Sequence, residues 1–98
     1  MDSEKLAALF SDDDDEFLHF ERIPEGERLH PSACVCGMMK VASLLKKGPK
    51  SFDVCAEHDC VYLAQADDLR NITQEDAVYL SRCGVALSSD TDSLYMFC

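Results

Sequence analysis

The spacing of apolar residues predicts a central helix from about Pro31 to Lys47. Proline suits the first helical position, lysines favour the last turns, and Gly48-Pro49 supplies a stop. Gly37 opposes helix formation by about 1 kcal/mol relative to alanine, so we expect another element to pass close to it. The core-facing stripe, with spacing i, i+4, i+7 and i+11, consists of Cys34, Met38, Val41 and Leu45.

A second helix is predicted after Thr73 by a capping box. The Thr73 hydroxyl would face Asp76, the third helical residue, and acids occupy the first turn. Ala77 and Leu80 follow at helical spacing, and Gly84 ends the helix. A shorter helix is predicted over residues 2–10, before the four aspartates at 12–15 break it.

Three segments have the composition of strands. The first covers residues 17–23 and ends at a turn signal around Pro24, and the second covers residues 59–64. The third is a terminal hairpin, with strands at 85–87 and 94–97 joined by a turn through 88–93. Residues 67–71 have the composition of a loop.

This order of elements predicts an α+β fold: a small antiparallel sheet with two main helices packed on one face. A chain of 98 residues fits one domain. We expect residues 1–15 to be an acidic, flexible N-terminal segment and residues 16–98 to form the single α+β domain.

Charge is distributed unevenly along the chain. Residues 1–29 carry a balance of −7, residues 30–51 carry +4, and residues 52–98 carry −7, for a formal net charge of −10. Such a field repels nucleic acid and attracts basic surfaces. The predicted partner is therefore a basic protein surface, such as that of a nucleic-acid-binding protein, and not nucleic acid itself.

Clustered carboxylates can imitate the phosphates of a duplex and occlude a DNA-binding groove, as a DNA mimic or inhibitor would. The alternative is a solubilising segment without a specific partner, because charge specifies a sign and not an identity. The predicted partner-binding residues are Asp12, Asp13, Asp14, Asp15, Glu16, Asp67, Asp68, Glu75 and Asp76.

The chain has six cysteines, which we expect to be reduced thiols because no export signal is visible. Cys55 and His58 have the two-residue gap of structural zinc sites, so a zinc-stabilised interaction module using Cys55, His58 and Cys60 is the competing hypothesis. The other pair, Cys34 and Cys36, fits zinc badly, because alternate residues on a helix point about 100° or more apart. We therefore expect no metal and no cofactor.

Enzymatic chemistry has little support in the sequence. His58 with Cys55 or Cys60 would give a base and a nucleophile, but no oxyanion site or orienting group accompanies them. Asp90-Thr91-Asp92 lacks the further ligands of a calcium loop and suits a hairpin turn. The prediction is a protein without enzymatic activity.

No run of residues approaches the length of about 20 that a membrane helix requires, and the acidic start differs from a secretory signal. We therefore expect a cytoplasmic protein without membrane contact. Tyr62, Tyr95 and Phe97 alternate along predicted strands, so they would form either part of the core or an exposed sheet face that makes a homodimer.

Residues 52–98 also carry a recognisable order of structural residues. Glu57-His58-Asp59 precedes Val61-Tyr62-Leu63, the capping segment 72–76 leads to Gly84-Val85, and 92–97 closes the chain. This half resembles short acidic proteins of bacteriophages and their bacterial hosts, in which a capped helix leads into a terminal hairpin. The resemblance is one of structural residues and implies no catalytic or binding site. It does imply a phage-type inhibitor of host defence, such as an anti-CRISPR protein, or of host transcription, acting in the host cytoplasm.

Overall fold

The computed structural model describes residues 1–11, 14–57, 59–88 and 90–97. Over these residues the fold is α+β, as predicted, with an antiparallel sheet and helices that cover one of its faces. The helices are α1 (Ser3–Ser11), α2 (Ala33–Ser43) and α3 (Gln74–Arg82). The strands are β1 (Cys55–Glu57), β2 (Cys60–Gln65), β3 (Ala86–Ser88) and β4 (Ser93–Phe97).

The sheet has the strand order β1-β2-β4-β3, and all neighbouring strands are antiparallel. β3 and β4 form the predicted hairpin, whereas β1 is a short edge strand that the sequence pattern missed. Tyr62 lies opposite Tyr95, and the register shifts by one residue between Tyr62 and Ala64. This bulge lets both Leu63 and Ala64 be buried, although they are consecutive on one strand.

The two faces of the sheet differ in burial because neighbouring residues of a strand point to opposite sides. Leu94 and Met96 point towards the helices and are buried. On the other side, the Tyr62 and Tyr95 ring centroids lie 6.0 Å apart, and Tyr95 meets Phe97 edge-on at 5.7 Å. We call this side the open face; its described side chains are Cys55, Cys60, Tyr62, Ala86, Tyr95 and Phe97.

Helix α2 is shorter than the prediction of residues 31–47. It begins after Ser32, whose hydroxyl caps Val35 N, and it ends at Ser43. The backbone beyond this end pairs with a distant segment: Lys46 N donates to Asp68 O at 2.9 Å, and Arg70 N donates to Leu44 O at 2.9 Å. These long-range bonds replace further helical turns.

Helix α3 confirms the predicted capping box. Thr73 N donates to Asp76 Oδ2 at 3.0 Å, and Asp76 N donates to the Thr73 hydroxyl at 3.2 Å. Gly84 follows the helix with a φ of +92°, a conformation that favours glycine. Both signals were local, and the sequence placed both correctly.

Gly37 lies where α2 passes closest to the sheet and to the end of α3. A Cβ atom at this position would lie 3.1 Å from Val85 Cγ2 and 3.2 Å from Cys83 Cβ and from Met96 Cε. The close approach expected from a glycine inside a helix is therefore present. Gly37 lowers the helix propensity of α2, but because it has no Cβ it lets α2 pack directly on the core.

The strand predicted over residues 17–23 is wrong. Phe20–Arg22 forms a 3₁₀ turn, and Leu18 has a φ of +65°, outside the range of a strand. Leu18 N donates to Ser81 O at 3.0 Å, so this segment packs against the end of α3 and does not join the sheet. A short apolar run with partial alternation does not distinguish these two outcomes.

Helix α1 confirms the predicted helix over residues 2–10 and contributes Leu6 to the core, where it is fully buried. The amino group of Met1 donates to Leu69 O at 2.7 Å, and the Gln74 amide donates to Leu9 O at 3.0 Å. Residues 1–11, which belong to the N-terminal segment predicted to lie outside the domain, therefore pack against it. Within the described part of the chain, no helix is both long enough and apolar enough to cross a bilayer.

Candidate functional site

A groove of about 770 Å³ lies beside α3 in the described structure. One wall is α3, the opposite wall is the segment 23–29, and the end of α2 closes one side. Its size falls within the range of about 300–1,000 Å³ found for ligand pockets. Its lining includes Glu27, Leu29, Lys40, Glu75, Tyr79 and Arg82.

Tyr79 joins the two walls of the groove. Its hydroxyl donates to Glu27 O at 2.9 Å and accepts from Leu29 N at 3.1 Å. The same oxygen lies 3.1 Å from Cys36 Sγ. One side chain of α3 therefore holds the segment 23–29 in place from beneath the groove.

Lys40 enters the groove from α2 and is paired within the protein. Its ammonium lies 3.1 Å from Asp76 Oδ1 and 5.0 Å from the centre of the Tyr79 ring. Desolvation acts to raise the pKa of Asp76, but hydrogen bonds from Thr73 and Lys40 outweigh it and leave the pKa below its usual value. Asp76 is therefore an ionised carboxylate that both caps α3 and neutralises Lys40.

Glu16 neutralises the opposite end of the groove. One carboxylate oxygen accepts from Arg82 Nε at 2.5 Å, and the other accepts from Arg22 Nη1 at 2.9 Å. The hydrogen bond from Arg82 lowers the pKa of Glu16 and, with the charges of Arg82 and Arg22, outweighs the opposing effect of desolvation. Both arginines are thereby held by one carboxylate.

Potential nucleophiles near the groove are held in their neutral forms. Burial and the contact with Cys36 raise the pKa of Tyr79 to about 12. Burial also raises the pKa of Cys83, with a further effect of the neighbouring Cys36. A thiol that stays protonated is a poor nucleophile, so these groups act as packing and hydrogen-bonding groups.

The structure places the predicted acidic residues in separate regions and does not bring them into one row. Glu75 and Asp76 line the groove, and Glu16 reaches its other end through Arg82. Asp15, which directly precedes Glu16 in the 3₁₀ turn Asp14–Glu16, is exposed. Asp12, Asp13 and the side chain of Asp14 lie outside the described residues.

Asp67 and Asp68 lie elsewhere, in a 3₁₀ turn after β2. They border a smaller cavity of about 280 Å³ together with Lys46 and Lys47. Asp68 Oδ2 also accepts from Gln65 N at 3.1 Å and so caps this turn. These two acids are exposed but belong to a different surface from the groove.

The cysteines do not share one state. Cys34 takes part in a disulfide bond, so the expectation of reduced thiols throughout is wrong for this residue. Cys36, Cys55, Cys60 and Cys83 are free thiols. Local spacing could not reveal this difference, because the fold decides which sulfur atoms meet.

The zinc hypothesis used Cys55, His58 and Cys60. His58 lies outside the described residues, while Cys55 and Cys60 both take positions on the open face, on neighbouring strands. Among the described residues, no group of three or more His, Cys, Asp or Glu side chains is arranged to hold a metal ion.

Comparisons with protein-family models, with curated proteins and with solved structures find no match to this chain. The site is therefore interpreted from its own geometry.

Sequence reasoning missed Glu27, Leu29 and Tyr79. The first two lie just after the turn signal around Pro24, and Leu29 is an apolar residue between the polar Arg28 and His30. Tyr79 lies three residues after Asp76 on α3, which places both on one side of the helix. These signals were present, but only the packing of segment 23–29 against α3 gave them a common location.

Proposed function

We propose that the protein is a non-enzymatic, acidic binding protein that acts in the cytoplasm by covering a basic surface of a partner protein. The occluded surface is one that otherwise holds nucleic acid, and the protein acts as a phage-type inhibitor or DNA mimic. The formal net charge of −10 supports this class of partner and disfavours direct binding of nucleic acid.

The observation that carries the proposal is the charge balance of the groove. Its cations Lys40 and Arg82 are paired with Asp76 and Glu16 inside the protein. Glu27 and Glu75 are exposed at the same groove and take part in no ion pair among the described residues. A ligand in the groove would therefore meet unpaired negative charge beside neutralised positive charge.

The raised pKa values of Tyr79 and Cys83 support a binding role over a chemical one. General acid–base and nucleophilic catalysis require groups whose pKa values lie near the working pH, and both groups are shifted away from it.

The proposal is tested by capture and competition. The immobilised protein is exposed to a bacterial lysate at low ionic strength, bound proteins are eluted with salt, and their binding to a labelled DNA duplex is measured with and without the protein. We expect the captured proteins to be nucleic-acid-binding proteins that release the labelled duplex when this protein is added. Capture should weaken steeply as added salt shortens the screening length from about 8 Å to about 3 Å.

A matched variant in which Asp12, Asp13, Asp14 and Asp15 are all replaced by asparagine tests the contribution of the acidic run. It should retain the fold and capture less of the same partner. Capture that is unaffected by salt, or captured proteins that keep their DNA, would show that the proposal is wrong.

A further inference from the structure

The groove combines an apolar surface with an acidic border. Leu29 is 46% exposed, although it is a large apolar residue. Pro24 and Val78 extend the apolar surface on the two walls, and Ile23 lies buried beneath it. A purely solvating acidic surface has no need of such a patch, whereas a binding groove places apolar contact area beside polar groups that orient the ligand.

Among the described residues, the groove carries unpaired negative charge and therefore favours a cationic ligand. Asp76 and Glu16 already neutralise the lining cations, so Glu27 and Glu75 dominate the field that a ligand experiences. Anionic ligands such as phosphates would be repelled by these carboxylates and by the remaining charge of the chain. Charge complementarity therefore selects a ligand with Lys or Arg side chains.

The groove is also held in a fixed shape before any ligand arrives. Tyr79 bonds the backbone of Glu27 and Leu29. Arg28 stacks over Phe20 with its guanidinium carbon 4.7 Å from the ring centre, and its Nε donates to Ile23 O at 2.8 Å. Such preorganisation reduces the entropy that binding would otherwise cost.

The dimensions of the groove suit a short extended segment. From Glu75 to Arg82 along α3 the distance is about 10 Å, because a helix rises about 1.5 Å per residue. An extended peptide covers about 10 Å with three residues. Alternate side chains of an extended segment point to opposite sides, so an apolar side chain that faces the wall with Leu29 leaves its two cationic neighbours facing the α3 wall, where Glu75 lies.

We infer that this groove binds a short basic segment of a partner protein, in which an apolar side chain lies between Lys or Arg residues. The inference rests on the proposed function, because it names the site and the chemistry through which a basic partner is recognised. It goes further in predicting that charge alone is insufficient for tight binding.

The test uses two fluorescently labelled peptides of equal length and charge, one alternating Lys with Leu and the other alternating Lys with Ser. The double variant Glu27→Gln, Glu75→Gln should weaken binding of the Lys/Leu peptide by about three- to tenfold, in keeping with two exposed ion pairs. Its control is Glu4→Gln, Asp90→Asn, which removes two exposed carboxylates outside the groove.

Leu29→Ser tests the apolar contact separately. It should weaken binding of the Lys/Leu peptide by about three- to tenfold and leave the affinity of the Lys/Ser peptide unchanged, because only the Lys/Leu complex loses buried apolar area. Val54→Ser is the matched control, since Val54 is 44% exposed and lies outside the groove. Thermal unfolding of each variant establishes that the fold is retained, and Val78→Ala probes the α3 wall in the same way.

Three outcomes would overturn the inference. If both peptides bind equally and the groove variants behave like their controls, the groove is not the site, but salt-sensitive binding of a basic partner stands. If neither peptide binds at low ionic strength, the inference fails, and the proposed function is decided separately by the capture and displacement experiment. If the chain self-associates and Glu27→Gln, Glu75→Gln abolishes this without affecting either peptide, the occupant is a second copy.

Discussion

The groove beside α3 and the open face of the sheet are both exposed surfaces, yet they differ in almost every physical respect. The groove contains charges of both signs, of which Lys40 and Arg82 are paired with carboxylates. The open face instead presents three neighbouring aromatic side chains, Tyr62, Tyr95 and Phe97. A net charge of −10 therefore does not describe every surface of this protein.

The difference teaches that the number of acids in a segment does not measure the acidity of its surface. Glu16 and Asp76 are acids by composition, but in the structure they stabilise the ends of the groove and the start of α3. Glu27 was unremarkable in the sequence, yet its carboxylate is exposed at the groove. Folding decides which of these charges remain unpaired.

The largest expected effect compares two adjacent residues on β4 that point to opposite faces. Met96 is 2% exposed and Phe97 is 63% exposed. Met96→Ala should lower the free energy of unfolding by about 2–5 kcal/mol, because it leaves a cavity in the core, whereas Phe97→Ala should cost less than about 1 kcal/mol. Chemical denaturation of both variants measures the difference.

Equal costs for the two substitutions would mean that the open face is covered. A cost for Phe97→Ala that grows with protein concentration would identify a second copy as the cover, which is the homodimer alternative that the alternation of Tyr62, Tyr95 and Phe97 left open beside core packing.

A smaller effect on the free energy of unfolding is expected when the hydroxyl of Tyr79 beneath the groove is removed. Tyr79→Phe deletes the bonds to Glu27 O and Leu29 N and should lower the free energy of unfolding by about 1 kcal/mol. Amide hydrogen exchange should also become faster at Leu29. Tyr95→Phe is the matched control on the open face, and an equal exchange rate at Leu29 in both variants would refute the role assigned to Tyr79.

The smallest expected effect concerns acid stability. The pKa of Asp76 is lowered in the folded protein, so its stabilising contribution is present above its unfolded pKa and is lost as the pH falls through the folded pKa. Asp76→Asn should therefore flatten the decline of unfolding free energy between about pH 5 and pH 2. Denaturation series at several pH values measure this slope.

Lys40→Met serves as the control for that experiment. It removes the cation but keeps the carboxylate and its bonds to Thr73, so part of the acid dependence should remain. A slope for Asp76→Asn equal to that of the unchanged protein would exclude Asp76 as a source of acid sensitivity.

Several features could be predicted from local sequence because their causes are local. The Thr73–Asp76 capping box, the glycine after α3 and the terminal hairpin depend on residues within a few positions of one another. The glycine in α2 also predicted a close approach, although not which residues it would meet.

The sequence by itself determined the α+β class, the capped start of α3 and the overall excess of acids. Only the tertiary structure decided that α2 ends at Ser43, that residues 17–23 form no strand, and that Glu16 meets Arg82 across 66 positions of the chain. It also decided which carboxylates remain free. The physical reason is that capping and periodicity depend on neighbours along the chain, whereas backbone pairing and charge neutralisation depend on neighbours in space.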